Sequence, residues 1–220
     1  GLSFIKTYKD EHTFSYIDLR TCFNNSELRQ CLLTMGFVNT TSDTSLFVFQ
    51  HSGITAYFLV YVDDLILTGN DSAFLNRVID SLGSQFSLKD MGDLSYFLGV
   101  EVLRSSKGCF LSQRKYVVDL LTRQNMLESN PVQTPTAAST RLHLADGSAP
   151  ADASAYRQAL GGLQYLSFTR PDISFAVNKL SQFMNAPTVT HWGAVKRLFR
   201  YLNGMRDFGV WLRRSSAIPL

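Results

Sequence analysis

Residues 56–70, AYFLVYVDDLILTGN, decide the fold that the sequence predicts. Apolar, strand-forming residues run on both sides of two adjacent carboxylates, Asp63 and Asp64. Because Asp is a turn former, the pattern predicts a tight β-hairpin over Val62-Asp63-Asp64-Leu65, with the carboxylates at its tip. Two neighbouring negative charges beside buried strands are unfavourable unless a cation binds them. The stretch therefore predicts both a sheet and a candidate cation site.

The flanking sequence predicts an antiparallel sheet with helices beside it. The stretches 43–50 (DTSLFVFQ) and 53–62 (GITAYFLVYV) predict two strands, and 94–113 predicts a second hairpin. Apolar residues at helical spacing predict helices over 26–37 and 71–86. No clear period is present before residue 26, so that segment is left unassigned.

The last third of the chain has a helical pattern. Residues 129–152 are rich in Pro, Ser, Thr, Ala and Gly, which predicts a linker or long loop. A later helix begins with a capping-box-like pair, Thr169 and Asp172, and has Pro171 in its first turn. Strands followed by a helical block indicate an α+β fold. Further helices are predicted over 114–126, 156–168, 169–185 and 190–204.

Composition narrows the class of protein. The net charge is +3, but residues 1–150 carry 12 Lys/Arg against 15 Asp/Glu, whereas residues 151–220 carry 9 against 3. A basic last third is typical of a surface that binds a polyanion, and equally of a plain solvated surface. The three cysteines and four histidines have no metal-ligand spacing. No Gly-rich phosphate loop and no membrane-spanning apolar stretch is present.

Paired carboxylates on a hairpin suit phosphoryl transfer. Hard divalent cations such as Mg²⁺ take carboxylate oxygens together with substrate phosphates. Two such ions, roughly 3.5–4 Å apart, can clamp the attacking and leaving oxygens. A hairpin tip leaves the ions open to a bulky nucleic acid. The alternative interpretation of Asp63 and Asp64 is a solvated turn, which is the more frequent one for the dipeptide alone.

Three blocks identify a family resemblance: 61–69 (YVDDLILTG), 86–102 (FSLKDMGDLSYFLGVEV) and 156–202, which contains TRPDI. They resemble the reverse transcriptase region of copia-type retrotransposon polyproteins. The resemblance implies the C-terminal part of a reverse-transcriptase palm, an antiparallel sheet with helices, followed by a helical connection segment. It divides the chain into a divergent N-terminal segment (1–25), a partial palm with the primer-grip region (26–128), a linker (129–152) and a connection segment preceding a missing ribonuclease H domain (153–220).

The resemblance also implies roles for residues of the hairpin and its neighbourhood. Asp63 would be the principal ligand of the catalytic metal, and Asp64 would support the site more weakly. Tyr61 would lie against the primer end or the nascent duplex, and Val62 would fill the palm core. Lys89 would stand near the leaving pyrophosphate, with a solvated loop lysine as the alternative.

Two further regions are implied to contact nucleic acid. Phe97-Leu98-Gly99 is similar to the primer grip, and the structural alternative for Gly99 is a strand bulge. Lys196, Arg197 and Arg200 would track template phosphates or simply form a solvated helix face. TRPDI is interpreted as structural, with Arg170 and Asp172 paired. The implied cofactor is Mg²⁺, with Mn²⁺ as a substitute, and the implied partners are an RNA template/DNA primer duplex and a deoxynucleoside triphosphate, without a membrane.

Departures from the family pattern decide the expected activity. The family's upstream aspartate block, similar to DVKNAFLHG, and its nucleotide-binding block, similar to LYGLKQAPRAW, are expected to be absent. Neither Asp10 nor Asp18 is expected to replace the lost aspartate. We therefore expect a fragment whose palm lacks a central strand, inactive and aggregation-prone alone. The alternatives are a polymerase domain acting within a longer polyprotein and a non-catalytic nucleic-acid-binding remnant. Intact elements of this family act in cytoplasmic particles and the nucleus, but the resemblance does not predict the cellular location of a fragment.

Overall fold

The computed structural model describes residues 13–19, 25–62, 64–137 and 142–213. Contacts divide the chain into two units. One comprises the described residues up to Ser95, with Ser105–Gly108 and the residues from Leu212 onward; the other comprises Tyr96–Arg104 and Cys109–Trp211. The strands are β1 (Thr13–Leu19), β2 (Val38–Asn39), β3 (Leu46–His51), β4 (Ile54–Tyr61), β5 (Asp64–Gly69), β6 (Leu88–Asp93), β7 (Tyr96–Phe97), β8 (Val100–Ser105), β9 (Gly108–Ser112) and β10 (Gly209–Arg213). The helices are α1 (Asn25–Thr34), α2 (Ser72–Gly83), α3 (Arg114–Arg123), α4 (Ala153–Leu166), α5 (Ser174–Ser181) and α6 (Val189–Gly204), with a 3₁₀ turn at Pro171–Ile173.

The first unit is built on a six-stranded sheet with the order β2-β3-β4-β5-β1-β6. Its described pairings are antiparallel, as predicted. Leu32 of α1 and Leu75 of α2 share one apolar core with Phe58 and Leu65 of the strands. Because side chains alternate along a strand, Asp64 lies on the sheet face opposite to the one that these helices cover. Asp71 begins α2 as its N-cap and accepts a hydrogen bond from the backbone of the first turn.

Strand β1 occupies an interior position of this sheet, in a segment that the sequence left unassigned. It pairs with β5 from Thr13 opposite Gly69 to Asp18 opposite Asp64, and with β6 on its other side. Ile17 is fully buried in the core. The expectation of a sheet that lacks a central strand is therefore wrong, and the expectation of aggregation loses its structural basis.

The β4–β5 hairpin turns one residue earlier than predicted. Tyr61 pairs with Asp64, so positions 62 and 63 connect the strands. Val62 has a φ of 52° and is 74% exposed. The expectation that Val62 fills the core is wrong, because a two-residue hairpin connection favours positive φ and projects its side chain into water. Asp63 lies outside the described residues.

The second unit packs four helices around one apolar core. Leu121, Leu163, Val177 and Phe199 come from α3, α4, α5 and α6 respectively, and all are buried in it. Strands β7, β8, β9 and β10 form a four-stranded sheet in the order β10-β9-β8-β7, which includes the predicted hairpin around residues 106–108. Among the described residues, no helix is long and apolar enough to cross a membrane.

The TRPDI segment is structural, but its start differs from the predicted capping box. The hydroxyl of Thr169 donates to the side-chain oxygen of Gln113 at 2.6 Å, so it does not cap the turn at Pro171–Ile173. Arg170 is 1% exposed and donates to both carboxylate oxygens of Asp172, at 3.0 and 2.7 Å. The predicted pairing of Arg170 with Asp172 is confirmed.

The predicted linker, residues 129–152, is docked on α6 at both ends. Near its start, the Asn203 side-chain amide donates to the carbonyl of Ser129 at 2.7 Å. Near its end, the backbone N–H of Val189 donates to the carbonyl of Ala149 at 2.9 Å. The described part of the segment is free of helices and strands, as its composition predicts, but it is anchored rather than loose.

Candidate active site

Four strands of the first unit carry one row of residues across the sheet. Tyr61 of β4 pairs with Asp64 of β5, Asp64 pairs with Asp18 of β1, and Asp18 pairs with Lys89 of β6. Directly opposed residues of antiparallel strands have Cβ atoms about 4.5–5.5 Å apart and share one face of the sheet. We call Tyr61, Asp64, Asp18 and Lys89 the cross-strand row. It brings together three residues that the sequence singled out and one that it dismissed.

The row lies at an accessible position. Tyr61 is 50% exposed, the Lys89 side chain is exposed, and Asp64 is partly buried. Buried neighbours fix its backbone, because Ile17, Val60 and Leu65 each stand next to a row member in sequence and all lie in the core. The sheet therefore holds charged residues rigidly while leaving them open to a large ligand.

Tyr16 orients the carboxylate of Asp64. It lies two positions before Asp18 in β1, and its hydroxyl donates a 2.5 Å hydrogen bond to Oδ1 of Asp64. This bond occupies one lone pair of Oδ1, which leaves Oδ2 and the other lone pair of Oδ1 as candidate ligands for a cation. A strand that the sequence left unassigned thus supplies both an opposing carboxylate position and the hydrogen-bond donor.

The donor types of this region fit a hard divalent cation. Asp64 and Asp18 occupy opposed positions, and Asp63 precedes Asp64 in the sequence. Carboxylate oxygens are the ligands that Mg²⁺ takes in proteins. Within the described residues no group of three or more His, Cys, Asp or Glu side chains is placed to hold a metal ion.

The predicted primer-grip residues form a tight turn in the second unit. Phe97 pairs with Val100, so Leu98 and Gly99 connect β7 to β8. Both have positive φ, 47° and 76°, as a two-residue type I′ turn requires. The alternative of a strand bulge at Gly99 is wrong. The Tyr165 hydroxyl of α4 donates to the carbonyl of Leu98 and holds the non-glycine residue in this conformation.

The basic face of α6 is partly committed to contacts within the chain. Arg197 donates to the hydroxyl of Thr134 at 2.9 Å, and Arg200 donates to the carbonyl of Asn130 at 2.7 Å. Lys196 is exposed. The two arginines hold the 129–152 segment, so their predicted contact with template phosphates stays a prediction, and Lys196 is the more accessible of the three.

A sequence signal for Asp18 was present. From Asp18 the chain runs DLRTCFNN, and the corresponding part of the family's upstream aspartate block is similar to DVKNAFLH. Both place Asp first and Phe sixth, with an apolar and then a basic residue directly after Asp. The segment before Asp18 shows no clean alternation, which is why the match was not recognised as a strand end. Tyr16 has no comparable signal.

Comparisons with known proteins identify a family for this chain. The family model described as reverse transcriptase (RNA-dependent DNA polymerase) matches residues 10–138. The Pol polyproteins of transposons RE2 and RE1 of Arabidopsis thaliana are each 52% identical over 194 residues, covering 88% of this chain but 13% of the polyprotein. An uncharacterized mitochondrial protein of Arabidopsis thaliana, AtMg00810, is 40% identical over 162 residues, which is 74% of this chain and 67% of that protein. No solved structure matches.

Proposed function

Because this chain belongs to the reverse transcriptase (RNA-dependent DNA polymerase) family, we propose that its first unit is part of the palm of such an enzyme and that Asp63, Asp64 and Asp18 bind divalent cations there. In this proposal residues 26–128 hold the palm and primer-grip region, residues 129–152 connect them to the segment 153–220, and β1 joins the palm as a central strand. The chain spans a small part of the two transposon polyproteins it matches. Polymerase activity on an RNA template is therefore proposed only for the longer protein.

The observation that carries this proposal is the pairing of Asp18 with Asp64. Like charges directly opposed on neighbouring strands repel each other. A bound divalent cation would offset this repulsion, because a nearby opposite charge favours the ionised form of a carboxylate. A solvated turn explains Asp63 alone, but it does not explain a second aspartate opposite Asp64.

Each residue of the cross-strand row has a distinct part in this proposal. Asp64, oriented by Tyr16, offers Oδ2 as a ligand, and Asp63 and Asp18 complete the oxygen donors. Bound Mg²⁺ or Mn²⁺ supplies the positive charge that nucleotidyl transfer needs at the phosphate oxygens. Lys89, exposed two strands from Asp64, can neutralise a phosphate group on the same face. Tyr61 offers an exposed aromatic surface to the end of a primer.

For the isolated chain, the proposed activity is limited to cation binding. Five residues separate the end of β1 at Leu19 from the start of α1 at Asn25. An insertion similar to LYGLKQAPRAW, which binds nucleotide and template in the family, is absent from this interval. Catalysis needs the reacting groups to be held in line, and cations without a positioned nucleotide do not provide that. We therefore propose cation binding without primer extension for the isolated chain.

The second candidate function is a nucleic-acid-binding remnant without a metal site. It rests on the basic composition of residues 151–220 and on the exposed Lys196. Under this alternative, nucleic-acid affinity would fall with salt but would not depend on divalent cations or on Asp18. The two candidates therefore predict different effects on binding when the carboxylates of the cross-strand row are substituted.

A manganese titration followed by electron paramagnetic resonance tests the proposal. Asp18→Asn and Asp64→Asn should each weaken Mn²⁺ binding about tenfold or more, because a charged ligand is lost. Asp80→Asn, which changes an exposed carboxylate of α2, is the matched control and should leave binding unchanged. Equal, weak Mn²⁺ binding by all four proteins would refute the metal site. Primer extension on an RNA template, with Asp63→Asn beside the wild type, tests the expected inactivity, and Asp63-dependent extension would refute it.

A further inference from the structure

A cleft in the second unit is not used by the proposed cation site. It has a volume of about 680 Å³ and lies between α3, α4 and the turn at Gly99. This volume falls in the range of small-molecule sites, roughly 300–1,000 Å³. Its lining includes Tyr116, Arg123, Gln124, Gln158, Gly161 and Tyr165.

The side chains of the cleft combine aromatic faces with positive charge. The rings of Tyr116 and Tyr165 are 4.9 Å apart and inclined by 63°. The guanidinium of Arg123 lies 5.8 Å from the centre of the Tyr116 ring. Gln124 and Gln158 add amide donors and acceptors, and no lining residue is acidic. Aromatic surface with arginine beside it is the combination that binds unpaired nucleotides, since every base has a face that can stack.

Two adjacent glycines inside α4 have different explanations. A Cβ at Gly162 would lie 2.7 Å from Leu120 Cδ1, so close helix packing accounts for this glycine. A Cβ at Gly161 would meet nothing within 4 Å. Glycine is an unfavourable residue in a helix interior, and packing does not require it at position 161. Its absence of a side chain keeps the cleft open.

We propose that this cleft binds one unpaired nucleotide of a nucleic-acid strand, with the base against Tyr116 and Tyr165 and the phosphate near Arg123. The inference rests on the proposed function for the nature of the partner. It adds a site in the second unit that binds an unpaired nucleotide whatever its base.

The test uses a pair of glycine substitutions in the full chain. Gly161→Met fills the cleft, whereas Gly193→Met places the same side chain at an exposed glycine of α6 that also has open space. Both variants replace glycine by a better helix former, so the Tm of each should rise by about 2–4 °C. Only Gly161→Met should weaken binding of a labelled duplex that has a five-nucleotide single-stranded overhang, by about tenfold.

Further probes separate the possible sources of the nucleotide. A blunt duplex should bind both variants equally, and Arg123→Gln should lower the salt slope of overhang binding by about 0.7. Overhang binding that is insensitive to Gly161→Met would overturn the inference and leave the proposed cation site intact. If Gly161→Met weakened the binding of a free mononucleotide but left overhang binding unchanged, the inference would also be overturned. No oligonucleotide binding by the wild type would overturn both the inference and the proposed nucleic-acid partner.

Discussion

Removing the charge of Asp172 should destabilise the second unit strongly. Arg170 is almost fully buried, and its guanidinium donates to both Asp172 oxygens and to the carbonyl of Met205 at 2.9 Å. Asp172 also accepts a 2.8 Å hydrogen bond from Tyr201. Asp172→Asn leaves a buried cation without its counter-charge, which costs about 3–5 kcal/mol. Because a third of the Asp172 side chain remains in water, we expect the lower end, about 3 kcal/mol.

Urea denaturation followed by tryptophan fluorescence measures this effect in the right unit, because Trp192 and Trp211 both belong to it. With a slope near 2 kcal/mol/M, the midpoint should fall by about 1.5 M. Asp207→Asn is the control, since it breaks a 2.6 Å ion pair with Arg114 whose partners are both mostly exposed. That change should stay within about 0.5 kcal/mol. A loss of less than about 1 kcal/mol in the free energy of unfolding for Asp172→Asn would refute the prediction that burial makes the Arg170–Asp172 pair important for stability.

Acid should remove the same contribution. Burial raises the pKa of Asp172, but hydrogen bonds from Arg170 and Tyr201 outweigh burial and hold the pKa below its usual value. A carboxyl whose folded pKa is lowered stabilises the protein above its unfolded pKa, about 3.9, and loses that contribution as the pH falls through the folded pKa. Wild type and Asp172→Asn should therefore differ fully at pH 7 and converge as the pH falls below about 4.

Four further substitutions test packing and capping. Thr68→Val should stabilise the first unit by about 1 kcal/mol in a urea melt followed by circular dichroism, because the Thr68 hydroxyl is buried without a hydrogen-bond partner among the described residues; a destabilised variant would contradict this. Thr188→Ala removes the N-cap of α6 and should lower stability by about 1–2 kcal/mol in the fluorescence assay, and an unchanged midpoint would show that the cap is dispensable. Gly161→Ala should stabilise α4 by about 0.5–1 kcal/mol, whereas Gly162→Ala, which meets Leu120, should destabilise it by about 1–3 kcal/mol, so effects of equal sign would refute the packing assignment.

Elements with a clear hydrophobic period were predictable from the sequence. Strands β3, β4 and β5 and helices α1 and α2 have regular spacing of apolar residues, and local spacing is what side-chain alternation and helical faces require. Strand β1 has no such regularity, because Phe14 and Tyr16 alternate with Ser15 and Ile17, so both faces contain large apolar residues. Its place in the sheet depends on pairing with residues about fifty positions later in the chain, which no local pattern encodes.

The same limit applies to the site. The resemblance pointed to Tyr61, Asp64 and Lys89, and the sheet register brings them into one row. Asp18 is not predicted as a site residue, because the sequence before it has no strand pattern. The contacts of Arg197 and Arg200 were not predictable either, because their partners lie in a segment whose composition indicates only a loop.

Two adjacent residues of β1 have different explanations, one in packing and the other in charge. Ile17 is fully buried in the core of the first unit, so packing alone accounts for a strand at this position. Packing gives no reason for an aspartate at the next position, where the register sets it opposite Asp64 and adds repulsion between like charges. Lys89 stands opposite Asp18 on β6 and offers one positive charge, and a cation bound at the two aspartates would add a second. Cation affinity is therefore the property that distinguishes a retained palm from a folded remnant, and it does so whether or not the chain can extend a primer.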